Sequence, residues 1–136
     1  MTDLSDIKAA ARKAGFARRK LAFEGQSGGV AGHLSALLAG YRGVPMSAYM
    51  PIRTEIDPLP AMAEAAAYGS VGVPVIVKAG QPLLFSRWDP DAVMKAGPFG
   101  AKIPEIDDFF EPEIVILPLV AFDKNLNRLG YGGGYY

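Results

Sequence analysis

The residues best suited to chemistry close the chain, where Arg128 and Leu129 precede glycines interleaved with tyrosines. Glycines occupy positions 130, 132, 133 and 134, and glycine carries no Cβ and adopts positive φ freely. Successive N–H groups of such a segment can converge on an anion, so phosphate is the first candidate ligand. The spacing is not that of a P-loop, because no Gly-Lys-Ser/Thr follows. It is not a dinucleotide fingerprint either, because Tyr135 stands where the third glycine belongs.

The segment before the glycines predicts a buried strand that ends in a turn. Residues 112–122 are mostly apolar and rich in β-branched side chains, which is typical of a central parallel strand covered on both faces. A polar turn follows at 123–127, and ligands of open α/β sheets bind beyond the carboxyl ends of such strands. A flexible linker is the alternative interpretation of a glycine run, but linkers rarely follow a buried strand directly or contain tyrosines.

Residues 114–136 resemble the signature of the 5-formyltetrahydrofolate cyclo-ligase family, also called 5,10-methenyltetrahydrofolate synthetase. The resemblance implies an α/β fold, specifically a three-layer α/β/α sandwich with a mostly parallel, Rossmann-like sheet. It also implies the ATP-dependent cyclisation of 5-formyltetrahydrofolate to 5,10-methenyltetrahydrofolate, with release of ADP and phosphate. ATP is then a co-substrate and Mg²⁺ the expected cofactor.

The resemblance also implies roles for the loop residues. Those expected to bind ATP are Arg128, Leu129, Gly130, Tyr131, Gly132, Gly133, Gly134, Tyr135 and Tyr136. Folate is expected to contact Tyr131, Gly132, Gly133, Gly134 and Tyr135 as well. Some relatives carry basic residues at the positions of Tyr131 and Gly133, and their absence here shifts the stabilisation of phosphate charge onto Arg128, Lys124 and the metal.

Two cations near the start of the chain, Lys8 and Arg12, lie four residues apart and share one face of a predicted helix. Alone, such a pair is usually a solvated face. The family, however, has a Lys-x-x-x-Arg near its N-terminus that contacts ATP, and the resemblance therefore assigns ATP binding to both residues. Together with Arg128 they are the expected catalytic cations, because phosphoryl transfer depends mainly on positioning and charge stabilisation.

A carboxylate between a predicted strand and a predicted helix is the candidate for folate recognition. Asp57 is explained as the N-cap of the helix that follows, whereas Glu55 has no such role. The resemblance assigns Glu55 to the reduced pterin, whose N–H groups need a carboxylate acceptor. It places Met50 in the lining of the same pocket.

Composition predicts one globular domain and limits the partners. The chain has 136 residues, half of them hydrophobic, and its 14 basic and 14 acidic residues cancel, so no global field favours nucleic acid or a membrane surface. Without cysteine, and with His33 as the single histidine, it does not suit thiol, Ser-His or His-metal chemistry. The N-terminal residues lack a signal-peptide core, and a cytoplasmic protein is expected.

The elements expected to position these residues alternate between helices and strands. Helices are predicted over Ser5–Phe23 with Ser5 as cap, over His33–Ala39, and over residues 58–67 behind Asp57; strands are predicted at 47–51, 71–77 and, at a sheet edge, 82–88. Residues 89–110 are rich in proline, glycine and acidic side chains, and they predict a long surface loop beside the substrate.

The chain is expected to be a single cyclo-ligase domain, 1–136, truncated relative to the family at its C-terminus. The metal ligands of relatives are then expected after Tyr136, with none inside this chain, and the sequence does not specify an oligomeric state. Two alternatives stay open. One is a non-catalytic folate- or nucleotide-binding protein of the same fold. The other is a sugar-phosphate isomerase or acyl-transfer enzyme, which would need a carboxylate base or nucleophile that the glycine segment does not offer.

Overall fold

The computed structural model describes residues 3–25, 32–78, 80–98, 100–130 and 136. The helices are α1 (Leu4–Gly25), α2 (Gly32–Leu38) and α3 (Leu59–Ala66), with a 3-10 turn at Ala39–Tyr41. The strands are β1 (Met46–Ser47), β2 (Val71–Val75), β3 (Leu84–Trp88), β4 (Met94–Ala96), β5 (Lys102–Pro104), β6 (Ile114–Val115), β7 (Ala121–Phe122) and β8 (Arg128–Leu129). The glycine segment from Tyr131 to Tyr135 lies outside the described residues.

The main sheet is mostly parallel, as predicted. Its strand order is β3-β2-β1-β6, in which β1 runs parallel to both β2 and β6 while β3 pairs antiparallel with β2. In the strand order of the described residues β3 is an outer strand, which the alternation of residues 82–88 predicted. The architecture is therefore a mixed α/β fold with a mostly parallel sheet.

The core of this fold lies between the sheet and the pair α2 and α3. Val73 and Met62 are almost completely inaccessible, at 0% and 1% exposure, and they belong to one cluster of buried side chains. The remaining members of that cluster are Leu38, Met46, Ala48, Ala61 and Val71. Strand β1 is paired with a neighbouring strand along each of its edges. The loop that follows β1 therefore begins at a well-fixed position.

The prediction of a central strand over residues 112–122 is wrong in the described structure. Pairing to β1 covers only Ile114 and Val115, followed by a hydrogen bond from the Ile116 N–H to the Ser47 carbonyl, and β6 is the outer strand among the described residues. Pro118 has no N–H and cannot continue a ladder. The segment is not covered on both faces either, since Leu117 and Leu119 are each 38% exposed.

Two helix starts differ by one or two residues from their predicted positions. The Asp3 carboxylate, not Ser5, accepts the hydrogen bonds from the backbone N–H groups of Ser5 and Asp6, and α1 begins at Leu4. At α3 the Asp57 carboxylate accepts from the Leu59 N–H at 2.9 Å, so the helix begins one residue later than expected. In both cases an aspartate side chain satisfies N–H groups that the first helical turn leaves unpaired.

The segment 89–110, predicted as a long surface loop, contains two short strands. Strands β4 and β5 form an antiparallel hairpin with Met94 opposite Pro104, and Gly100 adopts a φ of 97° in its connection. The segment then returns to β3 through a hydrogen bond from the Phe110 N–H to the Phe85 carbonyl. These strands have three residues each, which is too short to show a period-2 pattern in the sequence.

Candidate functional site

Glu55 lies in a tight loop that connects β1 to α3 and holds its carboxylate in one place. Its side-chain Oε1 accepts a hydrogen bond from the Ile52 N–H at 2.9 Å, and its own N–H donates to the Ile52 carbonyl at 3.1 Å. Arg53 adopts a φ of 53° to close this turn. The Tyr49 hydroxyl donates to the Ile56 carbonyl at 2.8 Å, which ties the two ends of the loop together. Glu55 is 7% exposed, so the carboxyl group is buried yet hydrogen-bonded.

Burial and nearby cations act in opposite directions on this carboxyl group. Burial raises the pKa of Glu55 above the ordinary range of a glutamate, while the hydrogen bond from Ile52 and the positive charges of Arg19, Arg128 and Arg53 lower it in part. Burial, together with the negative charges of Glu55 and Asp57, raises the pKa of Tyr49 to about 12. The site therefore has a carboxyl group of weakened acidity within reach of several arginines.

Glu55 lines two cavities. The larger, of about 530 Å³, lies between α1, the Glu55 loop and residues 117–122. The smaller, of about 60 Å³, lies on the other side of Glu55 towards β2 and β5, and its lining includes Met50 and Tyr136. The structure therefore places Met50 and Glu55 in the lining of one cavity. Trp88 packs against the core cluster and lines neither cavity.

Helix α1 brings one of the two predicted N-terminal cations, Arg12, to the start of the glycine segment. The Nε of Arg12 donates to the Gly130 carbonyl at 3.0 Å, across 118 residues of sequence. Lys8 lies one helical turn before Arg12 and is exposed. A close approach of the helix makes this contact possible, since a Cβ on Gly15 would lie 2.7 Å from a methyl carbon of Val120.

Arg128 lies at the junction between the glycine segment and the Glu55 cavities. Its Nε donates to the Pro118 carbonyl at 2.9 Å, its Nη2 donates to the same oxygen, and its guanidinium carbon lies 5.4 Å from the centre of the Tyr136 ring. Pro118 lines both cavities. Arg128 is thus fixed to the segment that separates the two cavities, and its charge acts on Glu55.

The short hairpin of β7 and β8 positions Arg128, and its turn is closed by Asp123. The Asp123 carboxylate accepts from the backbone N–H groups of Asn125 and Asn127 and from the Asn127 side-chain amide. The hydrogen bonds from Asn127 lower the pKa of Asp123. Leu126 adopts a φ of 65° in the same turn.

The sequence interpretation missed three residues of this region. Asp123 belongs to the predicted polar turn 123–127, and an aspartate followed by asparagines is typical of side chain to backbone hydrogen bonding. Tyr49 and Thr54, which line the larger cavity, flank Glu55 in sequence but carried no signal of their own. The predicted loop residues Tyr131, Gly132, Gly133, Gly134 and Tyr135 lie outside the described residues.

Neither a protein-bound metal nor a membrane span has support in the part of the chain that is described. Within those residues no three histidine, cysteine, aspartate or glutamate side chains cluster as a metal site. None of the described helices is long and apolar enough to cross a membrane.

Comparison with known proteins gives one consistent family. The model of the 5-formyltetrahydrofolate cyclo-ligase family matches residues 5–136. A 5-formyltetrahydrofolate cyclo-ligase from Haemophilus influenzae is 48% identical over 59 residues, and a protein from Schizosaccharomyces pombe with the name "Probable 5-formyltetrahydrofolate cyclo-ligase" is 49% identical over 41 residues. The matched segments cover 40% and 30% of this chain but only 32% and 20% of those relatives.

The fold also matches a solved structure. The NMR structure of Aquifex aeolicus 5,10-methenyltetrahydrofolate synthetase superposes with a TM-score of 0.74 and 24% sequence identity. The match covers 96% of this chain and 70% of that protein. At this level of identity the likeness establishes the fold.

Proposed function

The chain belongs to the 5-formyltetrahydrofolate cyclo-ligase family, and from that premise we propose that it catalyses the ATP-dependent closure of 5-formyltetrahydrofolate to 5,10-methenyltetrahydrofolate. The observation that supports this most directly is the meeting of three features around Pro118. These are the buried carboxyl group of Glu55, the guanidinium of Arg128, and the start of the glycine segment held by Arg12. One ligand that needs a carboxylate partner and another that needs cations and backbone N–H groups would meet there.

The reaction needs activation of a poor leaving group. The formyl oxygen attacks the γ-phosphorus of ATP, the bond to the bridging oxygen breaks, and ADP departs. The resulting imidate phosphate is attacked at its formyl carbon by the neighbouring anilino nitrogen of the folate, which then loses its proton. Phosphate leaves with the former formyl oxygen, and the five-membered methenyl ring is complete.

On the folate side, Glu55 would accept hydrogen bonds from the amino and ring N–H groups of the reduced pterin. Its position suits that role, since Ile52 and the loop fix one carboxyl oxygen inside a cavity that Met50 also lines. A buried carboxylate that is fixed in advance loses little conformational entropy on binding. Met50 would supply an apolar, polarisable wall for the ring.

On the nucleotide side, Lys8, Arg12 and Arg128 would stabilise the charge that spreads over the transferring phosphoryl group. Arg12 and Arg128 converge from different elements, one on α1 and one on β8, and both contact backbone carbonyls on either side of the site. The residues from Leu129 to Tyr136 would wrap the phosphates through their N–H groups and carry the tyrosine rings towards both ligands.

Magnesium enters this proposal with the nucleotide. The described residues offer no cluster of acidic or histidine side chains for it. When bound, Mg²⁺ would neutralise charge on the β- and γ-phosphates.

The test is an absorbance assay for 5,10-methenyltetrahydrofolate with the purified chain, 5-formyltetrahydrofolate, ATP and magnesium. We expect product only when ATP is present, and one ADP released per product. The Glu55→Gln variant should weaken folate binding by roughly 2–5 kcal/mol, the cost of removing one partner of a buried charged hydrogen bond. Binding of both ligands without any product would instead establish a non-catalytic binding protein of the same fold, and the proposed activity would be wrong.

A further inference from the structure

Arg19, a cation of α1, joins two segments of the candidate site. Its Nε donates to the Thr54 hydroxyl at 2.8 Å, and its Nη1 donates to the Leu119 carbonyl at 3.4 Å. Its guanidinium carbon also lies 4.9 Å from the centre of the Phe16 ring on the same helix, which limits its orientation. One side chain thus connects the loop of Glu55 to the segment that contains Pro118.

Arg19 lies on the same face of α1 as Arg12, one of the proposed nucleotide cations. Arg12 and Arg19 are seven residues apart, which is two helical turns and therefore the same face. Gly15 lies between them at the point where the helix packs most closely on Val120. The helix therefore contacts Gly130 through Arg12, Val120 at Gly15, and Leu119 and Thr54 through Arg19.

The hydrogen bond from Arg19 to Thr54 affects the placement of Glu55, because Thr54 and Glu55 are neighbours in the short turn 52–55. The backbone N–H groups of Ile52 and Glu55 close that turn from both sides. A hydrogen bond between a charged guanidinium and a hydroxyl is stronger than one between neutral groups. Holding Thr54 therefore restricts the rotation of the whole turn relative to α1.

We propose that Arg19 is a positioning residue, which uses its hydrogen bonds to Thr54 and Leu119 to hold the Glu55 loop in register with α1 and with the segment that leads to Arg128. The proposal rests on the proposed function, in which Glu55 binds folate while Arg12 and Arg128 bind nucleotide. In that setting Arg19 fixes the relative placement of the two ligands without contacting either reacting atom. Its loss should affect folate binding and turnover more than nucleotide binding.

The first experiment needs no ligand. Amide hydrogen exchange of Ile52 and Glu55 is measured by NMR in the wild type and in Arg19→Met, Thr54→Val and the double variant, with Lys20→Met as the control that removes a neighbouring charge from α1. We expect exchange about tenfold faster in both single variants, which corresponds to about 1.4 kcal/mol, and no further increase in the double variant. Lys20→Met should leave these amides unchanged.

The Met62 amide, which donates to the Pro58 carbonyl in α3, serves as the internal reference for the fold. Its exchange should be the same in all variants, and a parallel increase there would mean general unfolding and would overturn the specific role of Arg19. Unchanged exchange of Ile52 and Glu55 in Arg19→Met, or fully additive effects in the double variant, would also overturn it. Thr54→Val is nearly isosteric and provides the test should Arg19→Met fold poorly.

The second experiment compares ligands by titration. Arg19→Met should weaken 5-formyltetrahydrofolate about tenfold and leave the affinity for ATP within about twofold, since the change is expected to act through the Glu55 loop. Arg19→Lys keeps the charge but not the planar fork that reaches both partners, so it should restore folate binding only in part. Equal losses for both ligands, or full recovery with Arg19→Lys, would contradict the positioning role. A wild type that binds no folate would overturn the proposed function alone, and the exchange data would still decide the Arg19 contact.

Discussion

At the scale of single residues, the site depends on charges held by backbone groups. The carboxyl group of Glu55 is fixed by the Ile52 N–H, and the guanidinium of Arg128 is fixed by the Pro118 carbonyl. Side chains whose rotamers are already determined by backbone contacts can stabilise a ligand or a transition state without reorganising first. Substitutions at these two positions should therefore have distinct and separable effects.

The raised pKa of Glu55 predicts a pH dependence of stability that Glu55→Gln removes. Because the folded protein holds this proton more tightly than the unfolded chain, the contribution of Glu55 to stability is full below the pKa that this group has in the unfolded chain. It is then lost as the pH rises through the higher pKa of the folded state. Urea denaturation across this range should show the wild type losing free energy of unfolding relative to Glu55→Gln. Parallel curves for the two proteins would show that Glu55 is not perturbed.

Arg128→Ala should reduce turnover far more than it weakens folate binding. The charge that Arg128 would stabilise develops only as the phosphoryl group transfers, and loss of one such donor typically lowers kcat by about 10²–10³-fold. Arg42→Ala is the matched control, since Arg42 stacks on Tyr68 and pairs with Glu64 on another surface of the protein. An unchanged kcat with a raised KM for folate would assign Arg128 to ground-state folate binding instead.

At the scale of elements, the sequence predicted the helices and strands that are determined by residues adjacent in the chain. The cap at Asp57 and the edge position of residues 82–88 follow from adjacent residues, and the structure agrees to within one or two positions. The extent of the strand after residue 112 did not follow, because it depends on where Pro118 interrupts pairing to a partner distant in sequence. The contact of Arg12 with Gly130 is likewise invisible to local patterns, since 118 residues separate its partners.

The sequence could indicate those parts of the candidate site whose residues lie close together along the chain. Met50 and Glu55 are close in sequence, and the structure places both in the lining of one cavity. Arg19 could not be identified in the same way, because a basic residue on an exposed helix resembles its neighbours Arg18 and Lys20. Only the packing of α1 shows which of the three reaches Thr54.

The close approach of α1 to residues 120–121 predicts a strong effect of Gly15→Ala. The added methyl group would lie 2.7 Å from Val120 Cγ1 and 3.3 Å from the Val120 carbonyl, so the helix must shift away. Overpacking of this kind costs about 1–3 kcal/mol, and the shift should also weaken the Arg12 contact and hence ATP binding. Gly40→Ala is the control, since no atom lies within 4 Å of a Cβ there. Equal denaturation midpoints for both variants and the wild type would contradict this packing.

At the scale of the whole molecule, the balance of charge leaves recognition to local groups. The formal net charge is zero at pH 7, so the protein's overall field does not attract an anionic nucleotide. Among the described residues, the proposed nucleotide groups lie on α1 and at residues 128–130, whereas the proposed folate groups lie in the loop 49–57. Within this described part of the chain, the two sets approach each other near Pro118 and Arg19.

This separation predicts two different footprints in hydrogen exchange by mass spectrometry. A non-hydrolysable ATP analogue should slow exchange at residues 128–130 and in the first half of α1, and 5-formyltetrahydrofolate should slow it at residues 49–57. At a ligand concentration of 100 Kd, amides that exchange only from ligand-free openings should slow by up to about 100-fold, a stabilisation of about 2.7 kcal/mol. Helix α2 is the internal control, because it packs on α3 away from both cavities and should show no change with either ligand. Protection of residues 49–57 by the nucleotide analogue, without protection at 128–130, would reverse the assignment of the two halves of the site.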